Sequence, residues 1–169
     1  MHRWLMILFI FLLPSHATNS LPVQVHAWKE KPSVWLCTGA PVGRVNVESA
    51  VLFWKKLGYK FGSVSVVDGS TNLACDGAMV NNVIVIALDT RNQAPKDKAA
   101  VTAMHFDKLT GEIFSSHVYM KISCLNRPRV LEHEMGHALG WAHTNRKNHL
   151  MNGDWSQSGW DVTGLNRKY

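Results

Sequence analysis

Along the chain, apolar and polar positions fall into short blocks that switch between strand and helix periods. Val23 to Trp28 alternates apolar with polar side chains, Lys29 to Pro32 reads as a turn, and Ser33 to Cys37 is a second β-rich stretch. From Asn46 the period changes: Val47, Ala50, Val51, Trp54 and Leu57 recur at helical spacing, with Asn46 placed to cap the start and Gly58 to end the helix. Trp54, on the apolar face, is expected in the core. Ser63 to Val67 and Val83 to Leu88 are short β-branched runs between turn residues, as expected for strands buried on both faces. Val101 to Phe106 and Glu112 to Met120 flank a polar connection, Asp107 to Gly111, which predicts a hairpin and therefore one antiparallel strand. Helical spacing resumes through Val130, Leu131, Glu134, Met135, Ala138 and Leu139, and Gly140 provides the stop. The tail has little periodicity beyond a candidate helical turn from Trp160 to Leu165.

This succession of strands and two helices predicts an α+β fold, and 169 residues without repeats or linkers fit one domain. The N-terminus changes the picture. Met1, His2 and Arg3 precede an apolar run from Trp4 to Leu13, too short to span a bilayer but the length of a signal-peptide core, and Ser15-His16-Ala17 offers small residues for cleavage. A signal peptide over 1–17 and a single mature domain over 18–169 are expected, with export to the periplasm or the extracellular space. In an exported chain Cys37, Cys75 and Cys124 imply one disulfide and one leftover thiol, and all three pairings stay open. The net charge of +6 raises the question of anionic partners, but the lysines and arginines are scattered in ones and twos. No nucleic acid partner is expected, no membrane contact beyond the signal peptide, and a monomer.

The chemistry is concentrated in His133-Glu134-Met135-Gly136-His137-Ala138-Leu139-Gly140-Trp141-Ala142-His143, which reads H-E-x-x-H-x-x-G-x-x-H. Residues four apart share a helix face, so His133 and His137 can offer imidazole nitrogens to one metal ion. Gly140 can adopt a left-handed backbone conformation and turn the chain back, bringing His143 toward the same ion. Three neutral imidazoles leave a Zn²⁺ site with an open fourth position, the catalytic pattern. Glu134 lies about 100° around the helix from its neighbouring ligand, beside the metal, where its carboxylate can act as general base toward water.

These residues resemble the signature of the metzincin clan of zinc metallopeptidases. The clan's second marker, a methionine turn beneath the metal, has its candidate in Leu150-Met151-Asn152, and the short step from His143 to Met151 is similar to that of matrixins. The resemblance implies a mixed, mostly parallel five-stranded sheet with an antiparallel edge strand. It also implies a backing helix, a zinc-site helix and a very small C-terminal subdomain after Gly140. It further implies a secreted endopeptidase acting on proteins or peptides, with substrate extended along the edge strand around Val101 to Phe106. Three departures leave the family within the clan unassigned. Thr144 follows the third histidine where matrixins usually have Ser, astacins Glu and adamalysins Asp. Gly153 stands where astacins and serralysins carry a tyrosine. If strands begin near Val23, little room is left for an inhibitory propeptide.

Other residues carry weaker signals. Cys37 as a thiolate latency switch is weighed against a disulfide, which an exported chain favours. His105-x-Asp107 is a candidate for a second zinc, and Asp68, Asp76, Asp89 and Asp97 lie in loops where Ca²⁺ could bind, though without an EF-hand spacing. His149 is expected in a turn facing solvent. Trp155, Trp160 and Leu165 are candidate walls of the specificity pocket. A zinc-binding module without turnover is the rival from another class, and the presence of Glu134 argues against it.

Overall fold

The computed structural model describes residues 20–166, so the expected signal peptide lies outside the described residues. The strands are β1 (Ala27–Trp28), β2 (Ser33–Cys37), β3 (Val64–Val67), β4 (Val83–Leu88), β5 (Ala100–Phe106) and β6 (Glu112–Met120). The helices are α1 (Arg44–Lys56) and α2 (Val130–Ala138). The fold is α+β, with one mostly parallel sheet. Its main strands run in the order β3-β2-β4-β6-β5, all parallel except β5, and the two-residue β1 lies parallel to the start of β6. The sheet thus has six strands rather than the expected five.

β4, flanked by β2 and β6, is buried from Val83 to Ala87, which is why its sequence runs apolar without alternation. β3 does not match the same expectation. It pairs only with β2 among the described residues and leaves Val66 about half exposed, because an edge strand has a neighbour on one side only. α1 and α2 pack on one sheet face around Trp54, Ile84, Ile86, Val118 and Met135. The other face carries Cys37, Val83, Val85 and Ala87 under a 3-10 turn at Leu73–Asp76. That turn is held by a disulfide between Cys37 and Cys75, which resolves the open pairing and withdraws Cys37 as a zinc-binding thiolate. Cys124 is free and buried, and burial pushes its thiol above the usual range.

Helix α1 begins two residues before Asn46. Gly43 is the N-cap, and Asn46 works from the third helical position by accepting the Gly43 N–H at 3.0 Å. The expected strand from Val23 shrinks to Ala27–Trp28 because Val23 and Val25 bond the turn after α2 instead of the sheet. The hairpin forms as read, with Asp107 accepting the N–H groups of Leu109 and Thr110 and with Gly111 at φ 74°. In the tail, the helical turn falls at Trp155–Gln157 rather than at Trp160 to Leu165. Asp154 caps it by accepting the Ser156 N–H at 3.0 Å, a donor–acceptor match that apolar spacing cannot reveal.

Candidate metal centre

Helix α2 carries His133 and His137 one turn apart, facing the same point. The helix stops because Gly140 takes φ 93°, and a side chain there would meet the His26 carbonyl oxygen at 1.9 Å. The orphan carbonyls at the helix end are met by the N-terminal segment. Trp28 Nε1 donates to Ala138 O at 2.8 Å, Gln24 Nε2 to Leu139 O at 2.9 Å, and Val25 N to Gly140 O at 2.8 Å. Ala142 N in turn donates to Val23 O at 2.9 Å, so the return of the chain toward His143 is held by backbone pairing. The sequence offers no separate signal for these caps, since their partners lie more than a hundred residues away.

The three Nε2 atoms converge. His133 and His137 lie 3.1 Å apart, His137 and His143 3.0 Å, and His133 and His143 3.2 Å. His133 Nδ1 sits 2.7 Å from Leu150 O and His137 Nδ1 2.7 Å from Trp141 O. A carbonyl can only accept, so both Nδ1 atoms hold the ring proton and both Nε2 atoms turn bare lone pairs toward each other. Lone pairs at that separation repel unless a cation lies between them. Zn–N bonds of a tetrahedral site would place such nitrogens about 3.3 Å apart. Burial resists protonation of the cluster: it pulls His133 down to about 3, helped by His137, and His143 down to about 4. His137 is lowered by burial as well. The residues therefore fit a metal ion, and they are the one group of three or more His, Cys, Asp or Glu side chains suited to an ion among the described residues. His105 with Asp107 joins no such group. Asp68 and Asp89 spend their carboxylates on loop N–H groups, those of Ser70 and of Gln93 and Ala94.

Glu134 is buried beside the three histidines, and burial raises its carboxyl to about 7. Its Oε2 accepts a hydrogen bond of 2.7 Å from Thr102 on β5, a partner the sequence reading did not single out. Met151 is fully buried beneath α2, where Gly136 admits it: a side chain at 136 would meet Met151 Sδ at 2.4 Å and Trp54 at 2.9 Å. Gly153 serves His143 in the same way, since a side chain there would press on the imidazole at 3.2 Å. The small residue at 153 leaves that space to the histidine ring. Thr144 is buried and donates to Ser20 O through Oγ1 at 2.6 Å.

His149 does not face solvent. It is fully buried, accepts the Met151 N–H at Nδ1 and donates from Nε2 to Thr163 O, because the chain after the methionine folds back over it. A cleft of about 400 Å³ opens over the histidines, with Val101, Thr102, Met104, Val130 and Trp155 in its walls. Of the three proposed wall residues, Trp155 lines it. Trp160 lies outside, where it shares the Arg129 guanidinium with Trp155, and Leu165 is core. Compared with models of known protein families and with curated proteins, the chain has no significant match.

Proposed function

We propose that this chain is a zinc-dependent endopeptidase of metzincin type, exported from the cytoplasm and acting on proteins or peptides. The observation that carries this reading is the meeting of three imidazole Nε2 atoms within 3.0–3.2 Å of one another beside a buried carboxylate in an open cleft. His133, His137 and His143 would hold the ion, which when bound supplies a Lewis acid that polarises a carbonyl and lowers the pKa of water.

The remaining work belongs to the chain's own residues. Leu150 O and Trp141 O hold the tautomers of His133 and His137, keeping Nε2 free for a metal. Glu134, raised to about 7 by burial, stands near neutrality, where a carboxylate can take a proton from water and return it to a leaving amine. β5 pairs with β6 on one side, and its other side borders the cleft through Ala100, Val101, Thr102 and Met104. An extended peptide added to that edge would pair main chain to main chain, which suits endopeptidase action on varied sequences. The Cys37–Cys75 disulfide suits an oxidising compartment, and no helix among the described residues is long and apolar enough to cross a membrane.

The test is cleavage of an unfolded protein such as casein by the purified chain, with and without a chelator, beside Glu134→Ala. Zinc-dependent cleavage lost in a variant that still binds zinc supports the reading. Stoichiometric zinc without cleavage of any of several proteins would replace it with a metal-binding module.

A further inference from the structure

We infer that Thr102 is a positioning residue for Glu134 and the direct side-chain link between the strand that would hold substrate and the helix that carries base and ligands. The inference rests on the hydrolytic reading above and adds a residue to it. Thr102 lies in the middle of β5, paired with Val118, which is fully buried on the helical side of the sheet. Strand alternation therefore aims the Thr102 side chain at α2 while its backbone stays at the cleft edge. There Oγ1 lies 2.7 Å from Glu134 Oε2 and 3.0 Å from the Glu134 carbonyl oxygen.

The two distances matter together. A threonine hydroxyl has one proton and two lone pairs. While Glu134 is ionised, the hydroxyl donates to Oε2. Once the carboxyl has taken a proton from water, the hydroxyl can accept that proton's hydrogen bond and turn its own proton to the Glu134 carbonyl. One side chain thus holds the carboxyl in place both before and after the transfer, and no proton is gained or lost by Thr102. Because the same residue sits in the strand whose edge would register the peptide, the bond also sets the distance between the scissile carbonyl and the base.

The experiment compares the wild-type chain with Thr102→Val, which removes the hydroxyl at nearly constant volume, and Thr102→Ser, which restores it. Thr102→Val is expected to lower kcat about 10- to 100-fold, part of the 10²–10⁴-fold that a positioned base supplies, with KM and zinc stoichiometry within about twofold. Thr102→Ser is expected to keep most of kcat. A second readout needs no turnover: isotope-edited infrared spectra, referenced to Glu134→Gln, should show the Glu134 carboxylate stretch displaced in Thr102→Val and retained in Thr102→Ser. Thr102→Ala replaces Thr102→Val should the latter fail to fold. A Val variant with kcat within twofold of wild type and an undisplaced carboxylate band overturns the inference, as does equal loss in Val and Ser. Failure of the hydrolytic reading is distinct, because the wild-type chain itself would then cleave nothing.

Discussion

Gly136 and Met151 touch so closely that a single methyl group on Gly136 would stand 2.4 Å from the methionine sulfur. Alanine is the better helix former by about 1 kcal/mol. Met151 and Trp54 are both fully buried and have little room to retreat, so overpacking of about 1–3 kcal/mol should win. Gly136→Ala is expected to lower stability by up to about 2 kcal/mol and to weaken zinc binding, since Leu150, next to Met151, holds the His133 tautomer. Thermal unfolding and zinc titration check both, and Gly136→Ala combined with Met151→Ala should lose less stability than the two single substitutions summed. Strict additivity of the two substitutions would speak against the contact.

Zinc binding should be unusually insensitive to acid. Protons compete for the lone pairs, but burial holds His133 near 3 and His143 near 4 and lowers His137. Three ordinary histidines near 6.5 would lose about a thousandfold in affinity between pH 7.5 and pH 5.5. Here the change is expected to stay below about tenfold, as competition against a chelating dye at the two pH values would report.

The zinc-free chain should carry a stability cost at Glu134 that grows with pH. Its folded value, about 7, lies above the ordinary 4.5, so the group's favourable contribution is fully present below 4.5 and is lost as pH rises through 7. Glu134→Gln has no proton to lose. Its stability relative to wild type should therefore rise by about 3 kcal/mol between pH 4.5 and pH 8, the histidine contributions being common to both chains. Urea unfolding at the two pH values measures it, and a constant difference would mean that the carboxyl is not desolvated.

Replacing both Cys37 and Cys75 by alanine should cost about 4 kcal/mol, the loop-closure term for cysteines 38 positions apart. The loss should appear in urea midpoints, while zinc stoichiometry holds, because the bridge lies on the sheet face away from α2. Loss of zinc together with the disulfide would show that the two faces are coupled.

Much of this molecule was legible because it is local. The three-histidine group lies within eleven consecutive residues, and a helix period of 3.6 sets His133 and His137 on one face while the glycine stop turns the chain so that His143 can reach them. Trp54 followed from helical apolar spacing, β4 from an unbroken apolar run, and the β5–β6 hairpin from the polar turn between two β-rich stretches. Edges were harder: β3 reads like β4, and only its place at the sheet's margin distinguishes them.

What the sequence by itself determined is the helix that carries His133, Glu134 and His137, the turn at Gly140 and the alternation of strands and helices, since each depends on neighbours a few residues apart. The tertiary structure alone decided the rest. It chose the Cys37–Cys75 pairing, shortened the strand expected from Val23 to Ala27–Trp28 and set Gln24, Val25 and Trp28 against the end of α2, buried His149, and set Thr102 against Glu134. The physical reason is common to all four: a hydrogen bond or disulfide between distant residues leaves no periodicity behind, because its geometry exists only once the sheet has brought the segments together.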